Sequence, residues 1–238
     1  MKNGDVHIFH YICESNVSAG TMNQFRKMFG FLFLLLNAVV VPEMAAKADD
    51  FSTWSLVKVN CGLSRNWGFV GYVEYRSKDN LKHSDRWTLS AMLNWKPVSC
   101  LTVEGGYALH YRYKGDGGWG VRNRYKLGLT GSVGWRNVKF SLRERLQRTV
   151  ADGAAEDVLR SRLKASYAPK SWFVNPYFSV ELFQPLGDDA FFTASRLRYR
   201  PGMAVKLSKK CSIDVFYCRQ YEPKSCRNIF GIELGLKF

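Results

Sequence analysis

The sequence predicts an all-β fold, a single antiparallel transmembrane β-barrel of 10–12 strands, on three observations. The last nine residues, Phe230-Gly-Ile-Glu-Leu-Gly-Leu-Lys-Phe238, alternate apolar and polar without a break and end on an aromatic. Segments of strand length with the same period of two recur through residues 67–238. The connections between them alternate short and long, as periplasmic turns and outer loops do in outer-membrane barrels. Successive residues of a strand point to opposite faces, so each such segment has one greasy side and one polar side. About ten residues at roughly 45° of tilt suffice to cross the hydrocarbon layer.

Taken in order, the chain opens with a segment that is not part of the barrel. Arg26-Lys27 precede an uncharged run, 28–41, and Ala46-Lys47-Ala48 then offers a small-x-small site before Asp49-Asp50. Basic, apolar and small residues in that order are the pattern of a secretory signal peptide. The apolar run is shorter than the ~20 residues a membrane helix needs. Residues 1–48 are therefore read as a signal peptide cleaved near Ala48. The first 21 fit no part of one, so Met22 or Met28 is a candidate true start. Residues 49–238 are enough for one domain, the barrel. Export of this kind implies the outer membrane of a Gram-negative cell.

Ten segments alternate: 67–76, 85–96, 101–113, 125–136, 138–149, 158–167, 172–183, 195–207, 211–220 and 228–238. In 85–96, Trp87, Leu89, Ala91, Leu93 and Trp95 oppose Arg86, Thr88, Ser90, Met92 and Asn94. Residues 51–61 look extended but alternate poorly. Bacterial single-chain barrels have even strand numbers, so this segment is expected to stand outside a ten-stranded barrel or to belong to a twelve-stranded one. Trp67, Trp95, Trp135 and Trp172 fall at strand ends beside short turns, and Trp87, Tyr75, Tyr111 and Tyr113 at the opposite ends. Two aromatic belts are expected at two membrane interfaces. Phe238 has the form of a C-terminal assembly signal for the barrel assembly machinery.

Net charge is +15. In an exported chain this excludes nucleic acid as the natural reading, and the charge must be explained by its place on the strands. With the apolar face toward lipid, the lumen receives a basic wall: Arg124, Lys126, Lys139, Arg143, Arg145, Arg160, Arg162, Lys164, Arg196, Arg198 and Arg200. The lumen acids are Glu74, Glu104, Glu181, Asp214 and Glu233. Such a lumen either cross-links itself with Arg–carboxylate pairs, or binds or passes small anions. Glu144 stands on the apolar parity between Leu142 and Leu146, where a bulge or a covering partner would account for it.

No motif with a catalytic mechanism appears. After residue 48 the histidines are His83, in a loop, and His110, on the lumen face. The chain is accordingly expected not to be an enzyme; a lipid-modifying enzyme or protease ranks third, behind a structural or adhesive barrel. Cys218 and Cys226 flank the last outer loop and are a candidate disulfide. No cofactor is expected, and no metal, since no cysteine has zinc-ligand company.

Glu74-Tyr75-Arg76, Asp85-Arg86-Trp87, Leu142-Arg143-Glu144-Arg145, Val158-Leu159-Arg160-Ser161-Arg162-Leu163, Val180-Glu181-Leu182-Phe183 and the final Phe carry a resemblance. Together they resemble a family of small Gram-negative outer-membrane β-barrels catalogued as a domain of unknown function. The resemblance spans residues 50–238 and implies the barrel fold without adding an activity.

Overall fold

Period-two alternation closes here into a cylinder. A computed structural model describes residues 49–115, 118–169, 172–187 and 193–238; the signal-peptide reading of 1–48 lies outside them. The strands are β1 (Asp49–Gly62), β2 (Trp67–Lys78), β3 (His83–Val98), β4 (Leu101–Tyr113), β5 (Trp119–Trp135) and β6 (Val138–Ala151). They continue as β7 (Ala154–Tyr167), β8 (Val174–Pro185), β9 (Arg196–Lys206), β10 (Cys211–Glu222) and β11 (Ser225–Lys237). Each pairs with its sequence neighbours, and β1 closes on β11.

The number of strands is therefore odd among the described residues. First and last strands of an odd up-and-down barrel run the same way, so the closing pair must be parallel. It is: Asp49 to Asn60 run in register with Cys226 to Lys237. This corrects two expectations. The 51–61 segment lies inside the barrel as the core of β1, and the sheet is antiparallel everywhere except at this seam. Beyond the strand, Phe238 N–H donates to Asn60 carbonyl at 2.9 Å and Gly62 N–H to Phe238 carbonyl at 3.1 Å.

The ladders also run past the expected segments at one end, called upper here, where Lys78, Ala151 and Glu222 lie. Residues 150–157 read as a loop, yet Arg148, Thr149, Val150 and Ala151 pair with Asp157, Glu156, Ala155 and Ala154. Only Asp152 and Gly153 turn, both at positive φ. Backbone pairing persists where the apolar alternation has stopped, so the expected long outer loops shrink and the alternation of loop lengths is largely lost. β9 and β10 leave Arg200 and Pro201 unpaired; Pro201 has no N–H to offer the ladder.

The outer surface is apolar between two aromatic rings. Leu89, Leu93, Leu127 and Leu129 are exposed along it. At the lower end, where Phe238 lies, Trp67 stacks on Trp95 at 6.1 Å and Tyr167 meets Trp172 at 5.5 Å. At the upper end Tyr75 meets Trp87 at 4.8 Å and Tyr111 stacks on Trp119 at 4.7 Å. Aromatic rings thus gather at both ends of the outer face, where the belts are expected.

Candidate functional site

The inner face holds what the outer face excludes. On β6 and β7, Arg143 lies directly across from Arg162, and Arg145 from Arg160. On β8 and β9, Glu181 lies across from Arg162 on one side and Arg198 on the other. Register thus sets Arg162 and Arg198 beside the carboxylate, and Arg160 and Arg143 reach it from neighbouring positions. Arg160 Nη2 donates to Glu181 at 2.6 Å, and Arg143, Arg198 and Arg162 stand at 3.5, 3.6 and 3.8 Å. Glu181 is 2 % exposed. One negative charge facing four positive ones leaves this cluster with an excess of positive charge.

Donors are also left over. The Nε groups of Arg143, Arg160 and Arg162 are buried without a hydrogen-bond partner. Buried donors are normally satisfied, so three orphans around one carboxylate are unusual.

Most of the remaining members of the expected basic wall have partners of their own. Arg145 Nε donates to Glu104 at 2.6 Å. Arg200 donates to Glu233 at 2.6 Å and lies 3.8 Å from Asp214, which accepts from Tyr177 at 2.7 Å. Lys126 donates to Tyr72 and Ser90 at 2.7 and 3.1 Å. Arg124 donates to Thr149. Glu74 accepts from Arg76 through both oxygens. Lys164 lies over the Tyr177 ring at 3.6 Å, and Arg196 pairs with Glu222 at the upper rim. Lys139 is exposed at the lower rim, apart from the cluster.

Aromatic residues inside the lumen are what sequence reasoning missed. Trp54 carries Arg76 at 3.7 Å and Arg198 at 4.8 Å; Phe183 carries Arg198 at 4.6 Å; Phe216 carries Arg200 at 3.4 Å. The signal was available: Phe183 shares parity with Glu181, and Phe216 with Asp214. These rings cover guanidinium faces while carboxylates take their edges. Glycine makes the room. A Cβ on Gly128 would lie 2.6 Å from Glu104, and one on Gly231 would run into the Phe216 ring.

Inner residues differ by level. Thr88, Ser90, Met92, Lys126, Arg143, Arg145, Phe216 and Cys218 are buried, whereas Asn94, Thr130, Ser141, Asn175 and Ser212, nearer the lower end, are partly exposed. Gly134 and Gly128 both face inward on β5, yet a Cβ on Gly134 would meet nothing within 4 Å. Arg86, Arg124, Arg160 and Arg196, on the same face toward the upper end, are partly exposed as well, so exposure of the inner face is not confined to one end.

Three further expectations resolve. Cys218 and Cys226 are free thiols; Cys218 pairs with Ile229 on the inner face and Cys226 with Tyr221 on the outer, so they cannot bridge as placed. Glu144 sits on the outer face with no bulge in the β6–β7 ladder, accepting from Ser161 at 2.6 Å. His110 shares a 2.8 Å hydrogen bond with Thr88, and His83 lies 3.5 Å from Asp79 at the upper rim.

Lys114, in the loop after β4, donates to Asp152 of the β6–β7 turn at 2.9 and 2.8 Å, which holds that carboxyl below the ordinary Asp range. A lowered value means the tie contributes at neutral and mildly acidic pH and is lost only as pH falls through that lowered value. Asp152→Asn should speed tryptic cleavage after Lys114, read as the rate of fragment appearance; an unchanged rate would show the tie does not restrain this loop.

The chain is 14% identical to the translocator domain of the autotransporter NalP from Neisseria meningitidis, over 70% of this chain and 72% of that one, with a TM-score of 0.42. It is 14% identical to the siderophore receptor PirA from Pseudomonas aeruginosa, over 68% of this chain and 32% of that one, with a TM-score of 0.27. Both likenesses are too loose to bear on the site. No curated protein matches the chain. Residues 51–230 match a family described as "Protein of unknown function (DUF2490)", which takes in almost every strand of the barrel, and the chain belongs to that family.

Proposed function

We propose that the protein is an integral outer-membrane β-barrel whose basic lumen binds small anions. The observation that carries this reading is the convergence of Arg143, Arg160, Arg162 and Arg198 on the single carboxylate of Glu181, with the Nε of three of them making no hydrogen bond. The aromatic rings at both ends of the outer face and the apolar band between them support a bilayer as the barrel's surroundings. Export, and assembly guided by Phe238, belong to the same reading. Binding is favoured over free passage because Arg145, Arg198 and Glu181 are almost wholly buried and fill the middle of the lumen. No catalytic step is assigned.

The purified barrel in detergent should bind inorganic phosphate, measured by titration calorimetry, with affinity falling as ionic strength rises. Arg143→Gln combined with Arg162→Gln should weaken binding about tenfold or more, since each removes a charge-assisted hydrogen bond. Equal phosphate affinity in wild type and double variant would refute the reading.

The second reading is a structural barrel with a self-satisfied lumen. It is favoured by the complete pairing of Glu74 with Arg76 and of Glu104 with Arg145. In that case neither protein binds phosphate.

A further inference from the structure

An odd strand number gives β1 a special position. Without it the wall is ten strands, β2 to β11, joined throughout by antiparallel ladders. β1 runs antiparallel to β2 and parallel to β11, so β2 and β11 run antiparallel to each other. The two edges that β1 keeps apart are therefore able to pair directly, and β1 can leave without displacing any other strand.

Three features loosen it. Its ladder to β11 is the parallel one, and parallel pairing is slightly weaker per residue. Its outer face carries Thr53 and Ser55 where a lipid-facing strand usually carries larger apolar residues. Beside Ser55 lies an open hollow of about 430 Å³, lined by Val57, Val73, Tyr75, Trp87, Ile232 and Leu234, so side chains leave the seam unfilled on that side.

Two devices hold it. From inside, Trp54 is 7 % exposed, with Arg76 3.7 Å from its ring and Phe216 edge-on at 6.2 Å. At the upper end a side-chain latch spans the seam. Asp50 lies 2.9 Å from Arg227 of β11 and accepts from the Asn80 N–H at 2.8 Å, while Asn80 Oδ1 accepts from the Phe51 N–H at 3.0 Å. Asp79, Asn80 and Leu81, in the turn so held, all have positive φ. Left-handed backbone is costly for a residue such as Leu, and such strain persists only where surrounding contacts impose it. Opening the latch lets the turn relax, which favours release.

We propose that β1 is a detachable stave of the barrel: when the Asp50 latch opens, residues 49–62 leave the wall, and β2 and β11 close a ten-stranded barrel. Trp54 leaves with the strand, uncovering the guanidinium faces of Arg76 and Arg198 that it carries. The switch stands independently of the anion-binding reading.

Native thiols report release. Cys226 lies across from Asp49 at the seam and Cys218 on β10, both 0 % exposed. In the intact barrel in detergent, a charged maleimide should label Cys226 faster than Cys218, read by peptide mass spectrometry. Asp50→Ala should raise the Cys226 rate about tenfold, as loss of one charge-assisted contact would give, and leave Cys218 slow. A disulfide between Val57→Cys and Leu234→Cys, partners across the seam, should stop labelling of Cys226, and its reduction should restore it. Equal rates at Cys226 and Cys218 in the wild-type barrel would overturn the proposal. So would labelling of Cys226 that persists with the disulfide closed, which would mean fraying of the β10–β11 turn.

Closure is read separately. Val73 and Leu234 flank Val57 from either side, two strand spacings or roughly 10 Å apart and beyond disulfide reach. In the Asp50→Ala background, Val73→Cys should bridge to Leu234→Cys or to Ile232→Cys. Release without either bridge would overturn the ten-stranded state.

Discussion

Glu181→Ala should destabilise the barrel by about 3–5 kcal/mol, the range seen when one partner of a buried ion pair is removed. The side chain is 2 % exposed and faces Arg143, Arg160, Arg162 and Arg198 at 2.6–3.8 Å. Removing it leaves four guanidinium groups repelling one another without a counter-charge. The effect should appear as a lower urea midpoint in a refolding titration in detergent. Part of the loss should be recovered by high concentrations of formate or acetate, which can enter the vacated space as a free carboxylate. Glu222→Ala, which also removes an arginine's partner, is the control: that pair lies at the partly exposed rim and should cost under ~1 kcal/mol. A midpoint for Glu181→Ala no lower than that of Glu222→Ala would mean the cluster does not hold the barrel together.

Gly231→Val should be the most damaging small-to-large change. The new Cβ would enter the Phe216 ring, which is 2 % exposed, capped by Arg200 at 3.4 Å and packed edge-on to Trp54 at 6.2 Å. Overpacking a filled interior costs about 1–3 kcal/mol and sometimes more; a ring pinned on two sides leaves little room to relax. Phe216→Ala alone costs about 3–5 kcal/mol through the cavity it leaves. The double variant should nevertheless be much less destabilised than the sum of the two, because valine then occupies space the ring has vacated. Additive losses would show that Gly231 is needed for some reason other than Phe216.

Much of this architecture was legible in the sequence, and the gaps have physical causes. Ten of the strands announce themselves because a membrane-facing strand must put apolar residues on every second position. β1 does not. Trp54 and Leu56 point inward there, while Thr53 and Ser55 point outward, so its alternation is blurred; pairing on both sides by backbone holds it in place instead. The upper ends of β6 and β7 were missed because Asp152, Gly153 and their neighbours carry turn chemistry, although the ladder needs no apolar residues once outside the greasy band.

The basic wall was readable from parity, but its organisation was not. Glu181 was visible as one acid among five. That it stands at the meeting point of four arginines depends on the register of β6 through β9, which no single strand encodes. The inner aromatic residues were hidden by the expectation that rings belong to the girdles. Cys218 and Cys226 looked like a pair because they bracket a loop, while register puts them on opposite faces.

The central claim is that the apolar face of the barrel meets lipid and the arginine face meets the interior. Spin labels placed singly at 88–93 on β3, with the barrel reconstituted in bilayers, test it most directly through collision with oxygen dissolved in lipid. Positions 89, 91 and 93 should collide often, and 88, 90 and 92 rarely, giving a period of two. High collision at 88, 90 and 92, or no alternation at all, would contradict the assignment and remove the lumen on which the proposed anion site depends.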